Sequence, residues 1–278
     1  MTTVAARTET RYFHRFTLGQ RYLHGIVIIT FLGLALTGLP LRFSSLSWSV
    51  ALARALGGFG AILFLHKLNA IILTIAFLAH VANILYRVVA KKEYGLVWGP
   101  NSLVPSFKDF KDVFQHFRWF FWLGEKPRFE RYAYWDRVDY WAVFWGMAII
   151  GFSGYAMWFA PFFARFLPGW ALNAVLVIHS EEGLLAILFI FSIHFVNTHL
   201  RPDSFPMDMV IFTGVESERE FEHKRPQEYA RLVKEGNLEK RLGEAPATWF
   251  VNFSKIVGFT AIFIGIMLLV LTLTAYFD

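Results

Sequence analysis

Two apolar stretches of the chain each carry a pair of histidines. LFLHKLNAIILTIAFLAHVANILY holds His66 and His80, fourteen residues apart, and VLVIHSEEGLLAILFIFSIHFVNTH holds His179 and His194, fifteen apart. On a helix rising 1.5 Å per residue, each pair is separated by roughly 21–22 Å along the axis. Fourteen steps of 100° stop about 40° short of whole turns and fifteen overshoot by about 60°, so each pair keeps to one broad face. Imidazole is a standard axial ligand of haem iron. Two membrane helices, each with one histidine near a leaflet surface and a second deeper on a similar face, suit two stacked bis-histidine haems. An ionisable side chain inside a span is a functional candidate by default, because burying it unpaired is costly. A single such histidine is as well explained by packing; four at matched spacing call for a common role.

The elements that must hold these residues are legible in the composition. The chain has 278 residues, 56% hydrophobic and 18% aromatic, too apolar for a soluble domain. It has no cysteine, which excludes disulfides, thiolate iron–sulfur clusters, covalent haem attachment and a cysteine nucleophile. Any haem must be held non-covalently. Five apolar runs suffice to cross a hydrocarbon core of about 30 Å: Tyr22–Leu41, Ala61–Tyr86, Tyr140–Ala160, Leu172–Leu200 and Ile256–Phe277. The expected fold is all-α and integral to the membrane, five spans with a four-helix core over residues 22–200. The N-terminal residues 1–21 form a polar, basic arm without a small-residue cleavage site, so the first span is expected to serve as an uncleaved insertion signal.

Topology follows from lysine and arginine. Arg7, Arg11, Arg15 and Arg21 precede the first span, and basic residues crowd the loops after the second (Arg87 to Arg137) and the fourth (Arg201 to Arg241). The other side offers only Arg42, Arg54, Lys67 and Arg165. The positive-inside rule puts the N-terminus in the cytoplasm and the C-terminus outside. The net charge of +6 is therefore a topology signal with weak attraction to anionic lipid, and nucleic-acid binding is not expected.

Within the loop after the second span, residues 105–123 read PSFKDFKDVFQHFRWFFWL. Phe107, Phe110, Phe114, Phe117 and Phe121 recur at three and four residues opposite Lys108, Lys111, Asp112 and Arg118, which predicts an amphipathic helix in the cytoplasmic interface or packed on neighbouring spans. RYAYWDRVDYW leads into the third span with Trp and Tyr at headgroup level. The cytoplasmic loop 201–255 opens with two prolines that forbid a continuous helix, and Ser217 with Glu220 forms a capping-box pattern. The fifth span takes residues 256–278. No nucleotide-binding glycine loop and no convincing internal repeat is present.

Depth pairs the histidines. Spans two and four both run outside to inside, so His66 and His179 face each other near the outer surface. His80 lies seven residues before Arg87 and His194 seven before Arg201, so these two also match. Ala70 and Gly183, one turn beyond His66 and His179, leave room for a porphyrin edge. His24 begins the first span, on the cytoplasmic side; His14, His116 and His223 need no ligand role.

The stretch RYLHGIVIITFLGLALTGLPLRF, the HKLNA motif with His66 and the IHSEEGLLAILFIFSIHF segment resemble the b-type cytochrome membrane subunit of respiratory formate dehydrogenases and nickel–iron hydrogenases. They are closer still to the cytochrome b modules that work with multihaem c-type cytochromes. The resemblance covers spans one to four. It implies a prokaryotic cytoplasmic-membrane protein with two b haems, the outer held by His66 and His179 and the inner by His24 and His194. This chain departs from the pattern twice: the fourth-span spacing is fifteen rather than fourteen, and His80 is present as well. Whether His24 or His80 completes the inner pair stays open, as does a third haem between His24 and His199; His199 alone is an interfacial or quinone-pocket residue.

Glu181 and Glu182 follow His179 near the outer leaflet. Glu182, three residues on, shares that histidine's face and is a candidate proton acceptor from a quinol. Their alternative is a salt bridge to Lys67 or to a partner subunit, or simple exposure. The resemblance implies a further quinone site near the inner haem, where Asn83, Asn197 and His199 are candidates. Arg42 and Arg165 are candidates to neutralise haem propionates. The expected function is electron transfer through stacked b haems between a menaquinone or ubiquinone pool and a redox partner on the outer face, either a periplasmic multihaem c-type cytochrome or an iron–sulfur subunit of a dehydrogenase. The chain would be the quinone-reactive subunit of an oxidoreductase complex. The competing readings are a proton-coupled transporter and a haem-free membrane anchor.

Overall fold

The computed structural model describes residues 10–277, which leaves Arg7 of the basic arm outside the described residues. The chain divides into two compact units. A membrane unit takes Tyr22–Glu93, Val138–Met207 and the described part of Val257–Asp278. A polar unit takes the described part of Met1–Arg21 together with Tyr94–Arg137 and Asp208–Ile256.

Five helices are long and apolar enough to cross a membrane: Leu18–Arg42, Phe59–Val89, Tyr134–Trp158, Gly169–Leu200 and Thr248–Thr274, spans one to five. The protein is an all-α, multi-pass membrane protein, as the hydropathy predicts. Span five differs most from its apolar run, starting at Thr248 rather than Ile256, because Trp249, Phe250, Val251 and Phe253 carry the helix ahead of Lys255. Inside the spans, hydroxyl side chains satisfy themselves on their own helix: Thr30 donates to the Ile26 carbonyl at 2.7 Å, Thr37 to Gly33 at 2.6 Å, Ser153 to Ile149 at 2.6 Å and Thr272 to Leu268 at 2.8 Å. This back-bonding lets a polar group sit in an apolar helix without an orphaned donor. Small residues set the closest approaches. A Cβ at Gly33 would meet the Asn69 side chain of span two at 2.6 Å, and one at Gly265 of span five would meet Phe195 and Phe191 of span four at 2.7–2.8 Å.

Two spans are not uniform α-helices. Span three widens into a π turn at Met147–Gly151, and span four does so at Phe189–His194 and again at Val196–Leu200. Such turns bond residue i to i+5, take one residue more than an α turn and recur at functional sites.

The polar unit is organised by a small antiparallel sheet, β1 (Tyr12–His14), β2 (Val215–Ser217) and β3 (Leu242–Gly243), in the order β2-β1-β3. Tyr12 faces Ser217 on one side and Gly243 on the other. Phe13, Phe221, Leu232 and Leu238 form its core. Beside them Glu228, fully buried, is ringed by Arg131 at 3.2 Å, Arg241 at 2.5 Å, Arg225 at 3.6 Å and Arg15 at 3.7 Å. Burial alone would raise the Glu228 carboxyl, but the four guanidinium groups outweigh it and hold it below the usual carboxylate range. Burial, together with the charge of Arg15, pushes Arg225 down to about 9. The capping box at Ser217 and Glu220 starts the helix Glu218–Lys224 as the sequence predicts.

The amphipathic segment is a helix, Phe107–Phe120, with Ser106 as its N-cap. Its polar side is tied down: Lys108 pairs with Asp112 at 2.5 Å, and Asp109 with Arg137 at 2.7 Å. Its phenylalanines point outward, with Phe107, Phe110, Phe114, Phe117 and Phe121 each between 58% and 88% exposed.

Candidate cofactor-ligand site

Span two brings His66 and span four brings His179 to the same level, with ring centroids 6.3 Å apart and ring planes at 79°. Each ring is held through Nδ1 by an adjacent helix. His66 Nδ1 lies 3.0 Å from Thr37 Oγ1 of span one; that hydroxyl gives its own proton to Gly33, so its oxygen accepts from the imidazole. His179 Nδ1 lies 3.0 Å from the Ile150 carbonyl of span three and 3.2 Å from Ser153 Oγ, whose proton goes to Ile149. A carbonyl can only accept, so Nδ1 carries the proton and Nε2 the lone pair. The Ile150 carbonyl belongs to the π turn of span three, where the i to i−4 ladder is interrupted.

Glycines make the room. A Cβ at Gly38 would come within 3.2 Å of His66 Cε1, and one at Gly154 within 2.9 Å of His179 Cε1. Thr37–Gly38 on span one and Ser153–Gly154 on span three are thus matched supports, a hydroxyl to orient the ring and a glycine to admit it. At Gly183, one turn beyond His179, a Cβ would meet nothing within 4 Å.

At the other end of the spans, the end carrying Arg21, Arg87, Arg137 and Arg201, His194 is the anchored ring. Its Nδ1 lies 2.9 Å from Asp139 Oδ2 of span three and 3.4 Å from Thr198 Oγ1. His24 of span one is within electrostatic range of His194 and His199. His199 is buried, its ring centroid 6.3 Å from that of His194 and 6.1 Å from Phe195. The one-residue surplus in span four has a physical explanation: the π turn Phe189–His194 absorbs it, so fifteen residues keep His194 in the phase that fourteen α-helical steps would give.

His80 is elsewhere. Its Nε2 lies 3.0 Å from Tyr140 Oη, and its ring packs on Tyr140 and Phe144. Asp139 and Tyr140 are consecutive on span three, about 100° apart around the helix, so one addresses His194 and the other His80. His80 and His194 each meet span three, His80 through Tyr140 and His194 through Asp139.

The carboxylates separate. Glu181 pairs with Arg42 at 2.6 Å, while Lys67 stands 4.8 Å over the Trp158 ring. The expected salt bridge of Glu181 to Lys67 therefore gives way to one with Arg42, which is engaged by an acid two residues past His179 rather than free for a propionate. Glu182 is half-buried and accepts from Trp145 Nε1 at 3.2 Å. Arg165 and Asn83 are exposed, and Asn197 is half-buried.

Among the described residues, no group of three or more His, Cys, Asp or Glu side chains is arranged to hold a bare metal ion. The chemistry available is that of paired imidazoles with Nε2 lone pairs, which suits an iron whose other four ligands come from a macrocycle. The sequence reading missed Thr37, Ser153, Gly38, Gly154, Asp139 and Tyr140. The repeated hydroxyl–glycine dipeptide in spans one and three, and an aspartate just inside span three, were the available signals. Compared with known proteins, the chain matches no protein-family model and no curated protein.

Proposed function

We propose that the chain is the membrane cytochrome b subunit of a quinone-linked oxidoreductase complex, binding one haem b between His66 and His179 and a second between His24 and His194. The first pair carries the reading. These two rings stand 6.3 Å apart centre to centre, and they would hold one metal centre between them, a metal–imidazole bond being about 2 Å. Both have Nδ1 engaged, the arrangement that fixes the tautomer of a metal-ligating histidine. The second centre has independent support. Asp139 pairs with His194 alone, and its buried Oδ1 has no hydrogen-bond partner. A carboxylate so placed lacks a counter-charge, which a ferric centre on His194 would supply. His80 falls outside the ligand set because Tyr140 engages its Nε2, and with His199 packed edge-on against His194 two haems fit better than three.

Bound haem supplies the one-electron chemistry. The chain supplies the rest. Four imidazoles hold and orient, Thr37, Ser153 and Asp139 fix their tautomers, and the apolar spans exclude water. Glu182 Oε1 takes a proton from a quinol while Trp145 holds Oε2; Glu181, paired with Arg42, is the less available of the two acids. The basic ends of the spans lie in the cytoplasm of a prokaryote. At the opposite face a periplasmic multihaem c-type cytochrome, or an iron–sulfur subunit of a dehydrogenase, exchanges electrons with the His66–His179 centre.

The test is a reduced-minus-oxidised spectrum of the purified protein with a haem-to-protein ratio. The expected result is sharp α and Soret bands and two haems per chain. A flat spectrum from cells supplied with haem overturns the reading and leaves a proton-coupled transporter or a haem-free anchor.

A further inference from the structure

The two histidine sites differ in what accepts their Nδ1 protons. At the His66–His179 site every acceptor is neutral: the Thr37 hydroxyl, the Ile150 carbonyl and the Ser153 hydroxyl. At the His194 site the acceptor is a carboxylate, Asp139, 2.9 Å away. Asp139 forms no ion pair with a lysine or arginine among the described residues, and one of its oxygens is buried without a hydrogen bond. Its negative charge is therefore directed at His194 undiminished by the rest of the protein.

We infer that Asp139 is a positioning and tuning residue that makes the His24–His194 centre the lower-potential one of the two, so that electron transfer from the basic end of the spans toward the His66–His179 end runs downhill. This rests on the proposed haem ligation and adds the direction that ligation alone leaves open. A carboxylate on Nδ1 draws the imidazole proton toward itself and makes Nε2 a stronger donor, which favours the oxidised metal. The charge itself acts in the same sense, since a fixed negative charge in a low-dielectric span stabilises the more positive oxidation state. Hydroxyl and carbonyl acceptors carry no net charge and lack the second effect altogether. The asymmetry is thus built from two contributions of one sign at one site and neither at full strength at the other.

The experiment is a spectroelectrochemical titration of the full haem-loaded chain in nanodiscs. Wild type should show two one-electron steps. Asp139→Asn should raise the lower step and leave the upper where it is, with haem content unchanged, while Asp139→Glu keeps the lower step low. Where Asp139→Asn sheds a haem, the His66→Ala protein, which retains the second centre, decides: it should titrate at the lower of the two wild-type potentials, and the His194→Ala protein at the upper. An Asp139→Asn protein that keeps both haems with the lower step unmoved, or a reversed assignment in the histidine variants, overturns the inference while leaving haem binding intact. A colourless wild-type protein overturns the haem reading instead.

Discussion

The two units of this chain solve the problem of buried polar groups in opposite ways. In the polar unit Glu228 is fully buried and four arginines answer it, so its charge is compensated from within. In the membrane unit the anchored histidines are tied by one nitrogen and keep the other, and Asp139 faces His194 with no lysine or arginine paired to it among the described residues. A buried carboxylate answered by four cations is a device for holding a fold. Rings that keep one nitrogen, beside a carboxylate without a cation, are what the proposed haem ligation would use.

The sharpest way to break the comparison is to remove the acid at the centre of the arginine ring. Breaking a buried ion pair from one side is destabilising by about 3–5 kcal/mol, because the partner charges are left stranded. Glu228→Gln should therefore lower the melting temperature of the polar unit, followed by proteolysis within residues 208–256, more than any substitution at the histidines. The effect is pH-dependent with a definite sign. A carboxyl held below its ordinary value in the folded protein contributes stability that is full above the unfolded value of about 4.3 and is lost as pH falls through the lowered folded value. The difference between wild type and Glu228→Gln should accordingly shrink on acidification through that window. A difference that grows there would show that Glu228 is not held charged by its arginines.

Next in size are the histidines, where the expected loss is of cofactor rather than of fold. His66→Ala and His179→Ala should each remove one haem, and the same one, judged by the spectral species that survives. His194→Ala and His24→Ala should remove the other. His80→Ala should remove neither, and loss of a haem from that variant would mean that Tyr140 yields His80 to iron. Because these rings are bound to supports on other helices, the apo folds should hold and helicity by circular dichroism should stay near wild type.

How much of this was legible follows from the same contrast. The spans and the four histidines inside them could be read because hydropathy and helical phase are local properties. The supports could not. Thr37 and His66 are 29 residues apart, Ser153 and His179 26, and Asp139 and His194 55, and nothing local connects them. His24 and His80 could not be told apart in the sequence for a related reason: depth can be counted along a chain, but the azimuth that sends Asp139 and Tyr140 to different neighbours cannot. The sheet of the polar unit was invisible because its strands are two or three residues long, too short to alternate, and because β1 meets its partners some two hundred residues away. The arginine ring was hidden in plain view, since positive charge near membrane spans was already explained by topology.

The polar unit also has something left over, and it is apolar. The Phe107–Phe120 helix spends its charges inward, on Asp112 and Arg137, and turns five phenylalanines outward. Within the polar unit Asp109 holds the start of this helix to Arg137 at 2.7 Å. An amphipathic helix with an exposed aromatic stripe is expected to lie on lipid. The chain has no cysteine, so Phe114→Cys carries the protein's sole thiol and accepts a single environment-sensitive fluorophore. In nanodiscs its emission should be blue-shifted and quenched by spin-labelled lipid but not by iodide, while the same label at Lys111→Cys, on the exposed polar side, should respond to iodide. The expected shift is the smallest of the effects predicted here, and it is read against an internal control one turn away. Quenching of the Phe114 label by iodide, or by neither agent, would mean that water or protein covers the stripe, and the leftover of the polar unit would no longer mirror that of the membrane unit.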